Sequence, residues 1–359
     1  GLIEKADFIS DSFGIKSNFV HSMLSETFLT RNLGITDVDI QQALRYHHTP
    51  EYAEGNSKTV TTIVALADLL AHRKAVHVEK KMSEPKSTNP PVSIFSKVHD
   101  SSKAYLPAAI LKENLSNIMP CSSIQKALKP LQNEYNIENP YQYIYKSFEQ
   151  KVSYLDFESN FEKAFSQLSH LFQKYLITIP ADIIQNESHN TLYHHSKSVT
   201  QYASCLSFMQ DSFVNEIYRN LTGRNFDTDI LQTPSFKLIG GDIGGIQDFI
   251  YSVTSKHALK GLRGRSFYLQ MLSEAIALFI LKEFKLPETH IVYSGGGNFY
   301  LIVPETVVGL TDVKRKIEKS LLESHNGNLS FALSSISVSV MDIMEKSFGE
   351  LLITLKSNI

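Results

Sequence analysis

Cysteine is scarce in this sequence. Cys121 and Cys205 are the two, far apart and in no CxxC pair, so neither a zinc knuckle nor a disulfide framework is indicated, and a reducing cytoplasm is the expected setting. Net charge is nearly absent as well. The formal value is -2 and the pI about 6.7, which excludes a global positive field drawing the whole chain to nucleic acid. Any such contact must come from a local patch. Long apolar runs are missing too, none approaching the roughly 18 residues of a spanning helix. The first residues, Gly1-Leu2-Ile3-Glu4-Lys5, lack the basic-then-apolar order of a signal peptide, so a soluble protein with no membrane partner is expected. What is present is a globular composition, 42% hydrophobic over 359 residues, enough for two compact domains with their own cores.

From Ser17 to about Val76 apolar residues recur at three- and four-residue spacing, as in Val20, Leu24 and Phe28 and again in Val64, Leu66, Leu69 and Leu70, which predicts a helical lobe. A polar, proline-punctuated stretch from Lys80 to Pro91 reads as an exposed connection. Between Ile137 and Tyr218 the pattern is helical again. Phe157, Phe161, Phe165, Leu168 and Phe172 are expected to face a core, a stacking surface for bases being the less favoured alternative.

The texture changes at Ser235. Phe236 to Ile239 reads as a strand closed by Gly240-Gly241, followed by a helical stretch through Ile246, Phe249 and Ile250 and a longer helix from Phe267 to Phe284. Two short β-rich runs, Ile291 to Tyr293 and Phe299 to Val303, flank Ser294-Gly295-Gly296-Gly297-Asn298, a hairpin signal. A charged helix near Val313 to Leu322, a strand around Leu329 to Val340 and a helix near Ile343 to Leu355 complete the order β-α-β-β-α-β. The fold class is therefore α+β, with a ferredoxin-like βαββαβ domain after a mostly helical lobe.

Three segments, Gly241-Asp242-Ile243-Gly244-Gly245-Ile246-Gln247-Asp248-Phe249, Leu262-Arg263-Gly264-Arg265-Ser266-Phe267-Tyr268 and Tyr293-Ser294-Gly295-Gly296-Gly297-Asn298-Phe299-Tyr300, closely resemble the first palm domain of the large subunit of type III-A (Csm-type) CRISPR interference complexes. Weaker echoes precede them at Pro91 to Phe95, Tyr105 to Pro107 and Leu192 to Lys197. The resemblance implies three parts: a degenerate HD-like helical domain over residues 1–90, a linker and helical region over 91–232, and a nucleotidyl cyclase or polymerase-like palm over 233–359. It also implies an HD nuclease lobe that cuts single-stranded DNA, and two palms that together convert ATP into cyclic oligoadenylates. The second palm of the family, carrying a Gly-Gly-Asp-Asp turn whose carboxylates hold divalent ions, is expected to lie outside this chain. Implied partners are the other subunits of the effector complex, guide and target RNA, single-stranded DNA and the catalytic palm half.

At the equivalent hairpin this chain has Gly295-Gly296-Gly297-Asn298, with no carboxylate, so the palm here is expected to be the non-catalytic partner. Its candidate nucleotide-binding residues are Asp242, Gly244, Gly245, Lys260, Arg263, Arg265, Ser294, Gly295, Gly296 and Gly297. Each has a plain structural reading. Asp242 caps the helix beginning near Gly245, the cations are solvated or pair with Asp242 or Asp248, and the hairpin is a tight turn. Where the family commonly has Ser the chain has Gly244, which removes a hydroxyl that would contact nucleotide. The glycines of both segments otherwise have no evident packing reason in an isolated domain.

HD phosphohydrolases hold Mn, Mg or Ni with imidazole and carboxylate together. His21, His47, His48 and Asp68 match the later positions of that pattern, with His47, His48 and Asp68 the candidate metal ligands. The His-Asp dyad expected near Gly1 to Phe8 is not found there, as if lost or lying in a segment not included. His189, His194 and His195 read as ordinary surface or core histidines. The favoured function is a scaffold and regulatory half of a CRISPR effector. The rival is a self-sufficient, metal-dependent, HD-type single-stranded DNA nuclease.

Overall fold

The computed structural model describes residues 20–72, 89–97, 103–111, 121–128, 140–181, 190–223, 227–252 and 258–357. These residues fall into two compact units, those before Thr200 in one and those from Thr200 onward in the other. Among them, no helix is long and apolar enough to cross a membrane. Gly1 to Phe8, where the dyad is expected, His189, and most of the connection from Lys80 lie outside the described residues.

The first unit is helical. It contains α1 (Val20–Leu33), α2 (Val38–Tyr46), α3 (Ser57–His72), α4 (Ile124–Leu128), α5 (Pro140–Val152) and α6 (Phe161–Leu176). Asp37 starts α2, its carboxylate accepting a hydrogen bond from the Ile40 amide at 3.0 Å. Leu66, Ala67 and Leu70 of α3 are wholly buried, which accounts for the periodicity read there. On α5, Tyr141, Ile144, Tyr145 and Phe148 pack against Tyr175 and Leu176 of α6, and Phe28 of α1 stacks on Phe148. Burial of each such side chain contributes about 1.5–3 kcal/mol.

The aromatic stripe of α6 departs from expectation. Leu168 and Phe172 pack on the core, but Phe157 meets Phe161 edge-on and Phe161 stacks on Phe165, and Phe161 is 54% exposed. The core stripe of α6 runs through Ala164, Leu168, Phe172 and Tyr175, and Phe161 and Phe165 lie beside it.

The division between the units falls within α7 (Leu192–Leu206). The second unit continues with α8 (Asp211–Thr222) and α9 (Thr228–Gln232). Residues 200–232, assigned from sequence to the N-terminal lobe, cluster here: the Tyr202 ring packs on Phe236 at 5.4 Å and Leu231 is fully buried. Then come β1 (Pro234–Gly244), α10 (Ile246–Tyr251), α11 (Ala258–Glu283), β2 (Ile291–Gly295), β3 (Asn298–Pro304), α12 (Leu310–His325), β4 (Ser330–Ser339), α13 (Val340–Glu345) and α14 (Phe348–Lys356). The sheet order is β2-β3-β1-β4 with every pairing antiparallel, the split βαβ layout. On one face, Ile239, Ile243, Phe299, Leu301 and Phe331 meet Ile276 and Ile280 of α11 and Ile317 and Leu321 of α12.

Two boundaries differ from the sequence reading. β1 does not close at Gly240-Gly241 but runs on to Gly244, because glycine there serves close packing. A Cβ on Gly241 would stand 2.1 Å from the Phe299 ring, its partner across the ladder. The long helix starts at Ala258, not Phe267, running through Gly261 and Gly264.

Candidate functional site

The first unit gathers imidazoles around one carboxylate. Asp68 and His72 are one turn apart on α3 and so share a face, and α7 brings His195 across from 127 residues away. His195 Nε2 donates to Asp68 Oδ1 at 3.1 Å. His72 Nδ1 donates to the Asp68 carbonyl at 3.0 Å and lies 3.6 Å from Asp68 Oδ2. The three side chains are 16%, 33% and 13% exposed for Asp68, His72 and His195. Burial alone would raise the Asp68 carboxyl, but hydrogen bonds and charge from His195 and His72 reverse that and hold it well below the usual carboxylate range.

Among the described residues, Asp68, His72 and His195 are the group of three whose ligand atoms all come within 4.8 Å of one another. His47 and His48 stand outside that set, with their rings packed at 4.1 Å and His47 Nδ1 donating to the Leu44 carbonyl at 2.8 Å. His47 is close enough for the cluster to act on it: burial pushes its imidazole down while the Asp68 charge pulls it up. His21 lies in α1, its side chain outside the described residues. Of the residues proposed from sequence, the cluster therefore contains Asp68, and it adds two that sequence reasoning did not choose. His72 carried a signal, four residues beyond Asp68 on a helix. For His195 nothing local pointed to Asp68.

In the second unit the glycine-rich segments do meet. Asp242 on β1 pairs with Asn298 on β3, and the Ile243 amide donates to the Gly297 carbonyl at 2.9 Å. Asp242 is half-buried, and its carboxylate forms no hydrogen bond or ion pair among the described residues. It does not cap α10, whose N-cap is Gly245 with no side-chain cap. Most of the glycines there have packing reasons after all. A Cβ would stand 2.4 Å from Ser330 Oγ at Gly244, 2.3 Å from the Asn328 carbonyl at Gly245, and 2.1 Å from Ile246 at Gly297. Gly296, with φ +63°, faces open space, and with Gly297 at +90° it forms the two-residue turn that the hairpin requires. Ser294 and Gly295 complete the end of β2.

The cations lie inside α11. Arg265 is engaged with the Phe249 carbonyl and Ser252, and sits over the Phe249 ring at 5.2 Å, so it pairs with neither Asp242 nor Asp248. Lys260 and Arg263 are exposed, with no ion-pair partner among the described residues.

Comparison with known proteins agrees with this architecture. Residues 235–359 match the model of Csm1 subunit domain B. The chain's homologues are Cas10/Csm1 large subunits of subtype III-A CRISPR systems, described as single-strand-specific deoxyribonucleases. That of Methanocaldococcus jannaschii is 26% identical over 375 residues, 95% of this chain and 43% of the relative, and that of Mycobacterium tuberculosis is 33% identical over 160 residues, 43% of this chain and 18% of the relative. A Csm1–Csm4 cassette bound to pppApA superposes with a TM-score of 0.67 at 21% identity, covering 99% of this chain and 46% of that one. Csm1 of T. onnurineus superposes at 0.66 and 22% identity, covering 99% and 47%. The chain thus spans less than half the length of these relatives.

Proposed function

We propose that this chain acts as the N-terminal part of a type III-A CRISPR large subunit, its palm the non-catalytic partner of a palm bearing Gly-Gly-Asp-Asp. The observation that carries the reading is the hairpin from Gly295 to Asn298, which offers no carboxylate beside the lone Asp242. Two-metal phosphoryl transfer needs several carboxylates on adjacent strands. The sheet edge at Gly296 would face the second palm, with ATP held between them, and Lys260 and Arg263 are the cations left for its phosphates. The other effector subunits, guide RNA and target RNA would be met through the complex, in the cytoplasm.

The test is calorimetric titration of this chain with the Gly-Gly-Asp-Asp half, with and without ATP. Gly296→Leu should weaken both associations, while Gly296→Ala, which shares the backbone strain without the bulk, weakens them less. Unchanged affinity in a folded Gly296→Leu variant would remove this edge from the mechanism.

A second reading, single-stranded DNA cleavage by the helical unit, is favoured by the Asp68, His72 and His195 cluster. A divalent metal held there would supply Lewis-acid chemistry toward a phosphodiester. The residues themselves hold a half-buried anion with two imidazoles around it. Cleavage of single-stranded DNA that depends on manganese and is abolished by Asp68→Asn would establish it.

A further inference from the structure

We propose that the outer face of α11 is a self-association surface, on which the same helix of a second copy of this chain docks antiparallel through Gly264, Phe267, Met271, Ala275 and Leu278. The helix is apolar on two sides. Leu269, Ile276, Ala277 and Ile280 are buried in the core of the sheet unit. With each residue turning the helix by about 100°, Phe267, Met271 and Leu278 fall on the opposite side, and they are 68%, 49% and 38% exposed. A surface helix of a globular protein keeps its outer face polar, whereas one that is apolar all round is covered on both sides. A lipid span does not account for the second side, since among the described residues no helix is long and apolar enough to cross a membrane.

Gly264 points the same way independently. A glycine inside a helix weakens it relative to alanine, and a Cβ at Gly264 would meet nothing within 4 Å. Unlike Gly241 and Gly244, it has no packing reason within the chain. Close approach of a second helix provides one. The order of sizes along the face then selects the occupant. Gly264 and Leu278 stand seven residues before and after Met271, and Phe267 and Ala275 stand four before and four after. A twofold axis through Met271 therefore sets Gly264 opposite Leu278 of the second copy, Phe267 opposite its Ala275, and Met271 opposite its own counterpart. Each large side chain meets a small one, as interdigitated packing requires, and the contact is isologous and closes on itself.

Length and charge set the strength of the pairing. From Gly264 to Leu278 the seam runs roughly 22 Å along a helix about 10 Å across, which is below the size of a stable interface. Lys260 and Lys282, both exposed, stand eleven residues either side of Met271, so like charges meet at each end of the seam. The dimer is therefore weak, in exchange with monomer in the micromolar range, and salt tightens it by screening the lysines. A phosphate-binding face would respond to salt in the opposite direction. The inference goes beyond the proposed function and does not rest on it, because it concerns the chain by itself.

Sedimentation equilibrium of the full chain, from low to high micromolar concentration and at low and high salt, tests it. The expected result is a monomer–dimer equilibrium that tightens with salt. Met271→Glu sets two carboxylates against each other on the axis and should weaken the dimer at least about 10-fold. Gly264→Leu fills the space that Leu278 of the second copy occupies and should weaken it about 10-fold, and adding Leu278→Ala should bring it back to within about threefold of the original, because the large and small partners are exchanged. Leu322→Glu, at an exposed apolar position on α12, should leave it unchanged. Circular dichroism and thermal unfolding confirm that each variant is folded. A monomer at every concentration, an unchanged dimer in folded Met271→Glu, or no recovery in the double variant would overturn the inference. A monomer in which Met271→Glu abolishes only binding of the Gly-Gly-Asp-Asp half would overturn it too, and would assign the face to that partner.

Discussion

The helical unit and the sheet unit divide recognisability and chemistry between them. The sheet unit carries the sharp motifs, yet most of its glycines stand where neighbouring side chains or carbonyls leave no room for a Cβ, and its hairpin has no metal-binding carboxylate. The helical unit has no comparable motif, yet it sets two imidazoles beside one half-buried carboxylate, His72 from the same helix and His195 from a helix far away in sequence. A conspicuous glycine pattern therefore reports first on packing, whereas a ligand cluster is assembled by topology.

The comparison breaks most visibly if Gly241 tolerates a side chain. Gly241→Val drives its Cβ into the Phe299 ring, and the overpacking should cost about 3 kcal/mol. Urea unfolding followed by circular dichroism measures it, since the chain has no tryptophan to report. A loss near zero would mean that the motif glycines are kept for something other than packing. In the helical unit, Asp68→Ala leaves His195 without its acceptor and His72 without the neighbouring charge, and should cost about 2–3 kcal/mol by the same assay.

What the sequence made legible follows from how local each signal is. Short β-rich runs and the glycine hairpin predicted the βαββαβ order, because β-forming residues and a two-residue turn are written in adjacent residues. The continuation of β1 to Gly244 was not legible. Its glycines are explained by Phe299 on another strand and by Ser330 on a third. Phe161 likewise looked like core because helical spacing fixes a stripe but not which stripe is covered. Asp68 stood out by its match to the family pattern, His72 was not chosen although it stands four residues on along the same helix, and His195 became meaningful only once α7 was placed.

The sheet unit also carries a buried imidazole that sharpens the contrast. His290 is wholly buried, with Nδ1 donating to the Ile302 carbonyl and Nε2 accepting from Ser204 Oγ at 2.9 Å. Burial lowers its pKa below the usual 6.5. The unfolded chain therefore binds the proton first, and stability should fall as pH drops below about 6.5 until the folded-state pKa is reached, by at most about 1.4 kcal/mol per pH unit. Stability of His290→Gln should lose this contribution. An identical pH slope in the variant would show that His290 is not its source. The smallest effect is expected at Gly296, where Asn accepts the positive φ and open space, so Gly296→Asn should shift stability by only a few tenths of a kcal/mol.

We propose that the sheet unit cannot perform phosphoryl transfer by itself. ATP incubated with this chain and Mg²⁺ or Mn²⁺, resolved by chromatography, should remain unconverted, and cyclic oligoadenylates should form only when a Gly-Gly-Asp-Asp palm and its activating target RNA are supplied. Appearance of 3′–5′ linked adenylates from the pure chain would contradict the claim, because it would require a catalytic metal site that the Gly295 to Asn298 hairpin and Asp242 do not provide.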